Sequence, residues 1–158
     1  MEEIVNKLIE EKKTISTMES CTGGGLASAI TNISGSSEIF KFGAVTYSNE
    51  YKIKMGVDSN IIEKYSVYSS EVAREMSKKI SEFTKSNYGV GITGKLNRVD
   101  KNNPFGKDNV VFISIYDKDN NKYYDYSIEV KEKSRKENKK VVISLIEKSL
   151  LNILSENN

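Results

Sequence analysis

Apolar residues recur along the chain with two spacings, one typical of helices and one typical of strands. In residues 2–13, Ile4, Val5, Leu8 and Ile9 stand at helical spacing among acids and lysines, which predicts an amphipathic helix. Spacing and composition predict further helices in residues 26–30, 70–83 and 133–154. Short β-branched or apolar runs predict strands in residues 14–18, 42–47, 89–93, 110–116 and 123–130.

The order of these elements predicts the fold class. Strands alternate with helices in the first part of the chain, and the last two strands form a hairpin around the turn-rich residues 117–121. This order predicts a layered α/β sandwich with a mixed sheet, and 158 residues without a linker or repeat suit a single domain over 1–158. Ligands of such sheets gather where strands give way to helices, and Ser20 and Thr93 both fall at positions of that kind.

Two residue counts restrict the chemistry. Histidine is absent, which excludes Ser-His and Cys-His catalysis and imidazole metal sites. Cys21 is the only cysteine, so the chain forms no internal disulfide and no thiolate metal cluster. A hydrolase of this composition needs a lysine, a tyrosine, a carboxylate or a bound water as its general base.

Charge and apolar content suggest where the protein works. The 24 basic and 22 acidic residues leave a formal charge of +2, which provides no broad field for nucleic acid or an anionic membrane. No apolar run is long enough to span a bilayer, and the first residues lack the basic-then-apolar order of a signal peptide. We therefore expect a cytoplasmic protein that binds neither membrane nor nucleic acid.

The segment M-E-S-C-T-G-G-G, residues 18–25, is the strongest candidate for chemistry. Its glycines allow a tight turn, and the following helix N-terminus offers N–H groups to an oxyanion or a phosphate. Ser20 in this turn is a candidate nucleophile; alternatively, Ser20 or Thr22 only caps the helix. Spacing alone favours the cap, because the segment matches neither G-x-S-x-G nor the phosphate-binding loop. Cys21 has no histidine partner and is expected to be a small buried residue.

The segment T-Y-S-N-E-Y-K-I-K, residues 46–54, offers a base for such a serine. A lysine takes a proton at neutral pH only if burial or a nearby cation lowers its pKa. Lys52 would do this by pointing into the site from the start of a helix, and Tyr47 at a strand end would relay the proton. The alternative is that Lys52 and Lys54 lie on a solvated face, and spacing does not separate the two.

Several ordered motifs resemble the CinA C-terminal, or nicotinamide-nucleotide amidohydrolase, family. Residues 19–24 match its E-S-C-T-G-G signature, and residues 34–37 and 43–52 resemble its P-G-S-S and G-x-V-x-Y-S-N-x-x-K stretches. Residues 68–76 resemble its V-S-x-E-V-A-x-x-M helix. The resemblance implies a three-layer α/β/α sandwich with a mixed, mostly parallel sheet. It also implies a homo-oligomer in a stand-alone form, without the larger N-terminal domain of many relatives.

The same resemblance implies an activity: deamidation of nicotinamide mononucleotide to nicotinate mononucleotide and ammonia, with no metal and no organic cofactor. Ser20 would be the nucleophile, Lys52 the general base and Tyr47 a member of the proton network. The residues that would contact the nucleotide are Cys21, Thr22, Gly23, Gly24, Thr93, Gly94, Arg98 and Lys139.

The resemblance ends after Thr93-Gly94. The family continues with A-G-P and a glycine-rich stretch, whereas residues 95–109 here carry larger side chains, including Lys95 and Arg98. The family's R-E-x-x-R appears as R-K-E-N-K, which puts Lys139 where an arginine is expected near the substrate. Lys95 and Arg98 would bind phosphate instead, or only solvate the loop. Two alternatives follow: a non-catalytic binding module, or a hydrolase of a different small amide.

Overall fold

The computed structural model describes residues 1–157. Its helices are α1 (Glu2–Glu10), α2 (Gly25–Thr31), α3 (Asn49–Lys54), α4 (Ser59–Tyr65), α5 (Ser70–Thr84) and α6 (Arg135–Glu156), with a 3₁₀ turn at Ser36–Glu38. Its strands are β1 (Ile15–Glu19), β2 (Gly43–Val45), β3 (Tyr88–Gly94), β4 (Val110–Asp117) and β5 (Lys122–Glu129). No helix among these described residues is both long enough and apolar enough to cross a bilayer.

The five strands form one mixed sheet in the order β2-β1-β3-β4-β5. β1 pairs in parallel with both β2 and β3, whereas β3–β4 and β4–β5 are antiparallel pairs. Two of the four pairings are therefore parallel, although only β4 runs against the other four strands. The mixed sheet is confirmed, and β1 and β3 at its centre bring their carboxyl ends to the same edge.

Helices cover both faces of the sheet, which confirms the α/β/α layering. On one face, α1, α2 and α6 bury the larger apolar cluster with alternate residues of β3, namely Tyr88, Val90 and Ile92. On the other face, α5 packs on β3 and β4, and its Val72, Met76 and Ile80 form a second cluster with Met18 of β1. Gly89 and Gly91 allow α5 to lie directly on β3, because a Cβ at either position would collide with a carbonyl oxygen of that helix. The backbone that leads to Gly94 is thus firmly held.

All nine predicted elements are present, with shifted ends. The first helix stops at Glu10 rather than residue 13, because Lys12 takes a positive φ of 55°. The second strand has only the residues Gly43–Val45 instead of 42–47, and it lies at an edge of the sheet. Apolar spacing did not predict α4, which buries no residue, or α3, whose one buried residue is Lys52.

Candidate active site

Ser20 lies in the turn that follows β1, at the carboxyl edge of the sheet. Its backbone N–H donates to the carbonyl of Ile92 in β3 (3.0 Å), so the central strand pair fixes the position of the serine. The chain then reverses through Gly23 and Gly24, which take φ values of 60° and 94° and so suit glycine. Ser20 is 7% exposed, which leaves its hydroxyl accessible only from the adjoining cleft.

The carboxylate of Glu19 occupies the N-terminus of α2. Its oxygens accept hydrogen bonds from the N–H groups of Leu26 (2.8 Å) and Ala27 (3.0 Å) and from the Thr22 hydroxyl (2.7 Å). A buried carboxylate at this end of a helix is stabilised by the same amides that bind anions. The prediction that these amides hold a substrate oxyanion or phosphate is therefore wrong; they orient the turn that carries Ser20.

Lys52 points from α3 to the Ser20 hydroxyl. Ser48 begins this helix by accepting a hydrogen bond from the Tyr51 N–H (3.3 Å), which directs Lys52 inward. The Lys52 Nζ lies 3.1 Å from the Ser20 Oγ and 2.7 Å from the carbonyl oxygen of Thr46. Lys52 is only 2% exposed. The lysine is thus buried against Ser20 rather than placed on a solvated face.

Burial determines the acid–base properties of this pair. Removal from water disfavours the ammonium form and lowers the pKa of Lys52 to about 8, although Cys21 and the Asp100 carboxylate oppose the shift. The adjacent Cys21 is also buried, and burial raises the pKa of its thiol to about 12. A thiol of that pKa supplies almost no thiolate at neutral pH. Ser20 is therefore the stronger candidate nucleophile.

Tyr47 lies at the rim of the site and not in its interior. After β2 ends, Thr46 turns inward and Tyr47 outward, so that Tyr47 is 63% exposed. Its hydroxyl accepts a hydrogen bond from the Arg135 guanidinium (3.1 Å) and makes none to Ser20 or Lys52 among the described residues. The predicted place of Tyr47 in the proton network is corrected accordingly, because alternation along an extended segment points it away from Ser20.

These residues surround a cleft of about 690 Å³. One wall carries Ser20, Lys52 and the rim pair of Tyr47 and Arg135. The facing residues come from the end of β3, from the segment before α5 and from residues 95–109, here called the divergent loop. They are Val67, Tyr68, Gly94, Lys95, Leu96, Arg98, Val99, Asp100, Asn102 and Asn103. The loop that departs from the family therefore forms much of the candidate site.

Lys95 holds this loop in place. It is buried, and its Nζ donates to the carbonyl of Phe105 (3.0 Å) and pairs with the Asp108 carboxylate (3.3 Å). It also lies 5.0 Å from the centre of the Tyr68 ring. With these contacts Lys95 is a structural residue of the loop, whereas Arg98 is exposed at the cleft.

Other predicted contact residues lie outside the cleft lining. The Thr93 hydroxyl donates to the backbone carbonyl of Val67 (2.9 Å), and the Thr22 hydroxyl donates to the Glu19 carboxylate. Both hydroxyls therefore have partners within the protein. Gly23 and Gly24 shape the turn behind Ser20. The Nζ of Lys139 lies 3.2 Å from where a Cβ on Gly23 would stand, which places it over that turn. Cys21, Gly94 and Arg98 do line the cleft.

Among the cleft residues that sequence reasoning did not assign to the site are three with functional side chains, Tyr68, Asp100 and Arg135. A signal for Arg135 was present, because it stands in the first turn of α6, where acids are favoured over bases. A residue that breaks a local rule in this way is often functional. Tyr68 and Asp100 gave no such signal, since their meeting depends on the tertiary path of the loop. Within residues 1–157 no cluster of three or more acidic or cysteine side chains is arranged to hold a metal ion.

Fold and site together define a CinA-like α/β domain, and the sequence comparison agrees. Residues 1–153 match the CinA C-terminal domain, so the chain belongs to that family.

Two relatives show how far the sequence likeness extends. A CinA-like protein of Flavobacterium psychrophilum is 44% identical over 119 residues, which cover 73% of this chain and 28% of that protein. A Clostridium perfringens (strain SM101) protein, whose name refers to competence and damage induction, is 50% identical over 96 residues, or 60% of this chain and 23% of its own length. The chain thus spans about a quarter of the length of these relatives.

Solved structures extend the likeness to the whole fold. A CinA superfamily protein of Klebsiella pneumoniae 700603 superposes with a TM-score of 0.90 at 19% identity, covering 98% of this chain and 95% of that one. The competence/damage inducible protein CihA of Agrobacterium tumefaciens gives a TM-score of 0.79 at 26% identity, covering 99% and 95% of the two chains. The expected homo-oligomer stays a prediction.

Proposed function

We propose that this domain is an amidohydrolase that releases ammonia from nicotinamide mononucleotide, with Ser20 as nucleophile and Lys52 as general base. The observation that supports it most directly is the 3.1 Å contact between a buried lysine Nζ and a serine Oγ at the floor of a cleft. In the absence of histidine, a lysine of lowered pKa is the base that this chain offers to a serine.

The contacts of Lys52 suit proton transfer in both directions. In the neutral amine, one N–H remains on the Thr46 carbonyl and the lone pair faces the Ser20 hydroxyl. As Ser20 Oγ bonds to the amide carbon of the substrate, its proton moves to Nζ. The ammonium then donates that proton to the departing amide nitrogen, which leaves as ammonia. Water, activated by the same amine, next cleaves the ester and regenerates Ser20.

An oxyanion forms in both steps, and the turn after Ser20 supplies candidate donors. The N–H of Ser20 is already bonded to Ile92, and the first amides of α2 are bonded to Glu19. Among residues 1–157, the Thr22 N–H has no acceptor, and the Cys21 N–H contacts only its own thiol. They are therefore the amides we assign to the oxyanion.

Arg135 is the candidate phosphate ligand. It lines the cleft beside Tyr47, and a guanidinium binds a phosphate through two parallel hydrogen bonds. Lys139, predicted to contact the nucleotide, lies over the Gly23 turn. A nucleotide would accordingly place its phosphate at the Arg135 rim and its carboxamide beside Ser20.

The alternative of a non-catalytic binding module is less well supported. A binding module would not require Lys52 to be buried, at 2% exposure, against the hydroxyl of Ser20. Burying an amine without a carboxylate partner costs stability, and such costs persist where function requires them.

The experiment is ammonia release from nicotinamide mononucleotide by the wild type, by Ser20→Ala and by a matched serine variant. Ser28→Ala is the control, because Ser28 is exposed on α2 and does not line the cleft. We expect release by wild type and Ser28→Ala, and at least a 10³-fold loss in Ser20→Ala.

Circular dichroism of each variant shows whether the fold is kept. Turnover retained by folded Ser20→Ala would place the nucleophile elsewhere. No release by folded wild type would contradict the proposed activity on this nucleotide.

A further inference from the structure

Asp100 brings a carboxylate into the cleft from the divergent loop. It accepts hydrogen bonds from the Tyr68 hydroxyl, from Asn103 Nδ2 (3.1 Å) and from the Asn102 N–H (2.9 Å). Asn103 is in turn bonded to Asn49 of α3, across the cleft from the loop (3.3 Å). These bonds fix the side chain relative to the helix that carries Lys52.

The charge of this carboxylate has no close cationic partner. All three donors are neutral groups, and no lysine or arginine nitrogen lies within 4.0 Å among the described residues. The hydrogen bond from Tyr68 lowers the pKa of Asp100, so the group is ionised at neutral pH. It is also the one acidic residue that lines the cleft within residues 1–157.

We infer that Asp100 is a specificity residue that selects amides joined to a cationic ring, with Tyr68 and Asn103 as its positioning residues. This inference rests on the proposed function and names the feature of the substrate that the divergent loop recognises. A carboxylate that is held in place and has no ion-pair partner attracts positive charge, so it favours a cationic ring over a neutral ring of the same shape.

The neighbours of Asp100 support a role for its charge rather than for stacking on Tyr68. One face of the Tyr68 ring is already covered by the Lys95 ammonium, which lies 5.0 Å from the ring centre. A cationic substrate ring stacked on Tyr68 would be repelled by the Lys95 ammonium, whereas the Asp100 carboxylate is open to the cleft. The cleft thus offers a negative group in the loop and a positive one, Arg135, at the rim, which matches a zwitterionic nucleotide.

The test compares two ligands that differ in ring charge. Oxidised nicotinamide mononucleotide carries a pyridinium, and its reduced form carries a neutral dihydropyridine with the same carboxamide, ribose and phosphate. Calorimetry on the Ser20→Ala variant measures both dissociation constants without turnover. We expect the oxidised form to bind about tenfold more tightly, which corresponds to about 1.4 kcal/mol.

Adding Asp100→Asn to that variant should bring the two affinities to within about twofold of each other. Asp108→Asn is the matched control, since Asp108 lies in the same loop but does not line the cleft, and its amide oxygen still accepts from Lys95. It should keep the preference. An unchanged preference in Asp100→Asn, equal affinities with Asp100 present, or binding of neither form would overturn the inference.

The outcome is separable from that of the proposed function. A charge preference that depends on Asp100, without ammonia release by the wild type, would support the inference and contradict the hydrolase. Ammonia release by the wild type, with a charge preference that does not depend on Asp100, would support the hydrolase and contradict the inference.

Discussion

Lys52 and Lys95 are two lysines buried at the same cleft, with 2% and 3% exposure, and their partners differ. Lys95 pairs with the Asp108 carboxylate and a backbone carbonyl of its own loop. Lys52 has no carboxylate in contact; it reaches one hydroxyl and one carbonyl. Both side chains are hydrogen-bonded, but only the ammonium of Lys95 has a counter-charge.

The difference separates a structural lysine from a reactive one. A carboxylate in contact with a buried amine favours the charged form of that amine. Without such a partner, burial makes the neutral amine of Lys52 accessible near neutral pH, and its pKa falls to about 8. Burial alone therefore does not identify a base; the nature of the contacting groups does.

The largest expected effect comes from removing the amine of Lys52. Lys52→Met keeps most of the side-chain volume but has no proton acceptor, so we expect turnover to fall about 10³-fold. Because the ammonium form of Lys52 is disfavoured in the folded state, its loss should leave the free energy of unfolding within about 2 kcal/mol of wild type. Ammonia release and chemical denaturation of the same preparation measure both quantities.

Lys52→Arg sharpens this prediction. A guanidinium keeps a positive charge at every accessible pH and does not act as a base. Full activity of Lys52→Arg at neutral pH would contradict proton transfer to Lys52.

The next effect is the dependence of turnover on pH. Only the neutral amine accepts the Ser20 proton, so kcat/KM should rise with pH and level off above a pKa of about 8. Below that value the rate should fall about tenfold per pH unit. A profile measured from pH 6 to 10, with circular dichroism at each pH, tests the assignment. A flat profile over this range would exclude Lys52 as the titrating base.

The sequence predicted most of the fold because its signals are local. Alternating apolar residues in β3 and the stripe on α5 are repeated over enough residues to be recognised in the chain. By contrast, α3 and α4 have only six and seven residues, and neither contains a fully buried apolar residue, so apolar spacing gives no clear signal for them. The position of α3 is nevertheless what brings Lys52 to Ser20.

The candidate site could be predicted only in part. The resemblance named Ser20 and Lys52, and the structure adds that they are in contact. The resemblance did not show that Glu19 accepts hydrogen bonds from the α2 amides. A contact between a carboxylate and an amide seven residues later in the chain leaves no periodic pattern in the sequence. Nor did the resemblance find Asp100, whose contact with Tyr68 joins groups 32 residues apart.

The smallest expected effect on chemistry comes from the other lysine. Lys95→Met removes the ammonium that joins Phe105 and Asp108, so the loop loses its internal support. We expect the free energy of unfolding to fall by about 1–3 kcal/mol and KM to rise about tenfold, because the loop forms a wall of the cleft. The value of kcat should change less than about threefold, since no proton passes through this residue.

Lys107→Met is the matched control for this variant. Lys107 lies in the same loop and pairs with Glu129, but it is exposed, and an exposed ion pair contributes little to stability. Stability and KM should therefore stay close to wild type. If Lys95→Met instead lost kcat as severely as Lys52→Met, with KM unchanged, the distinction between the two lysines would not hold. Proton transfer would then have to involve the loop as well as α3.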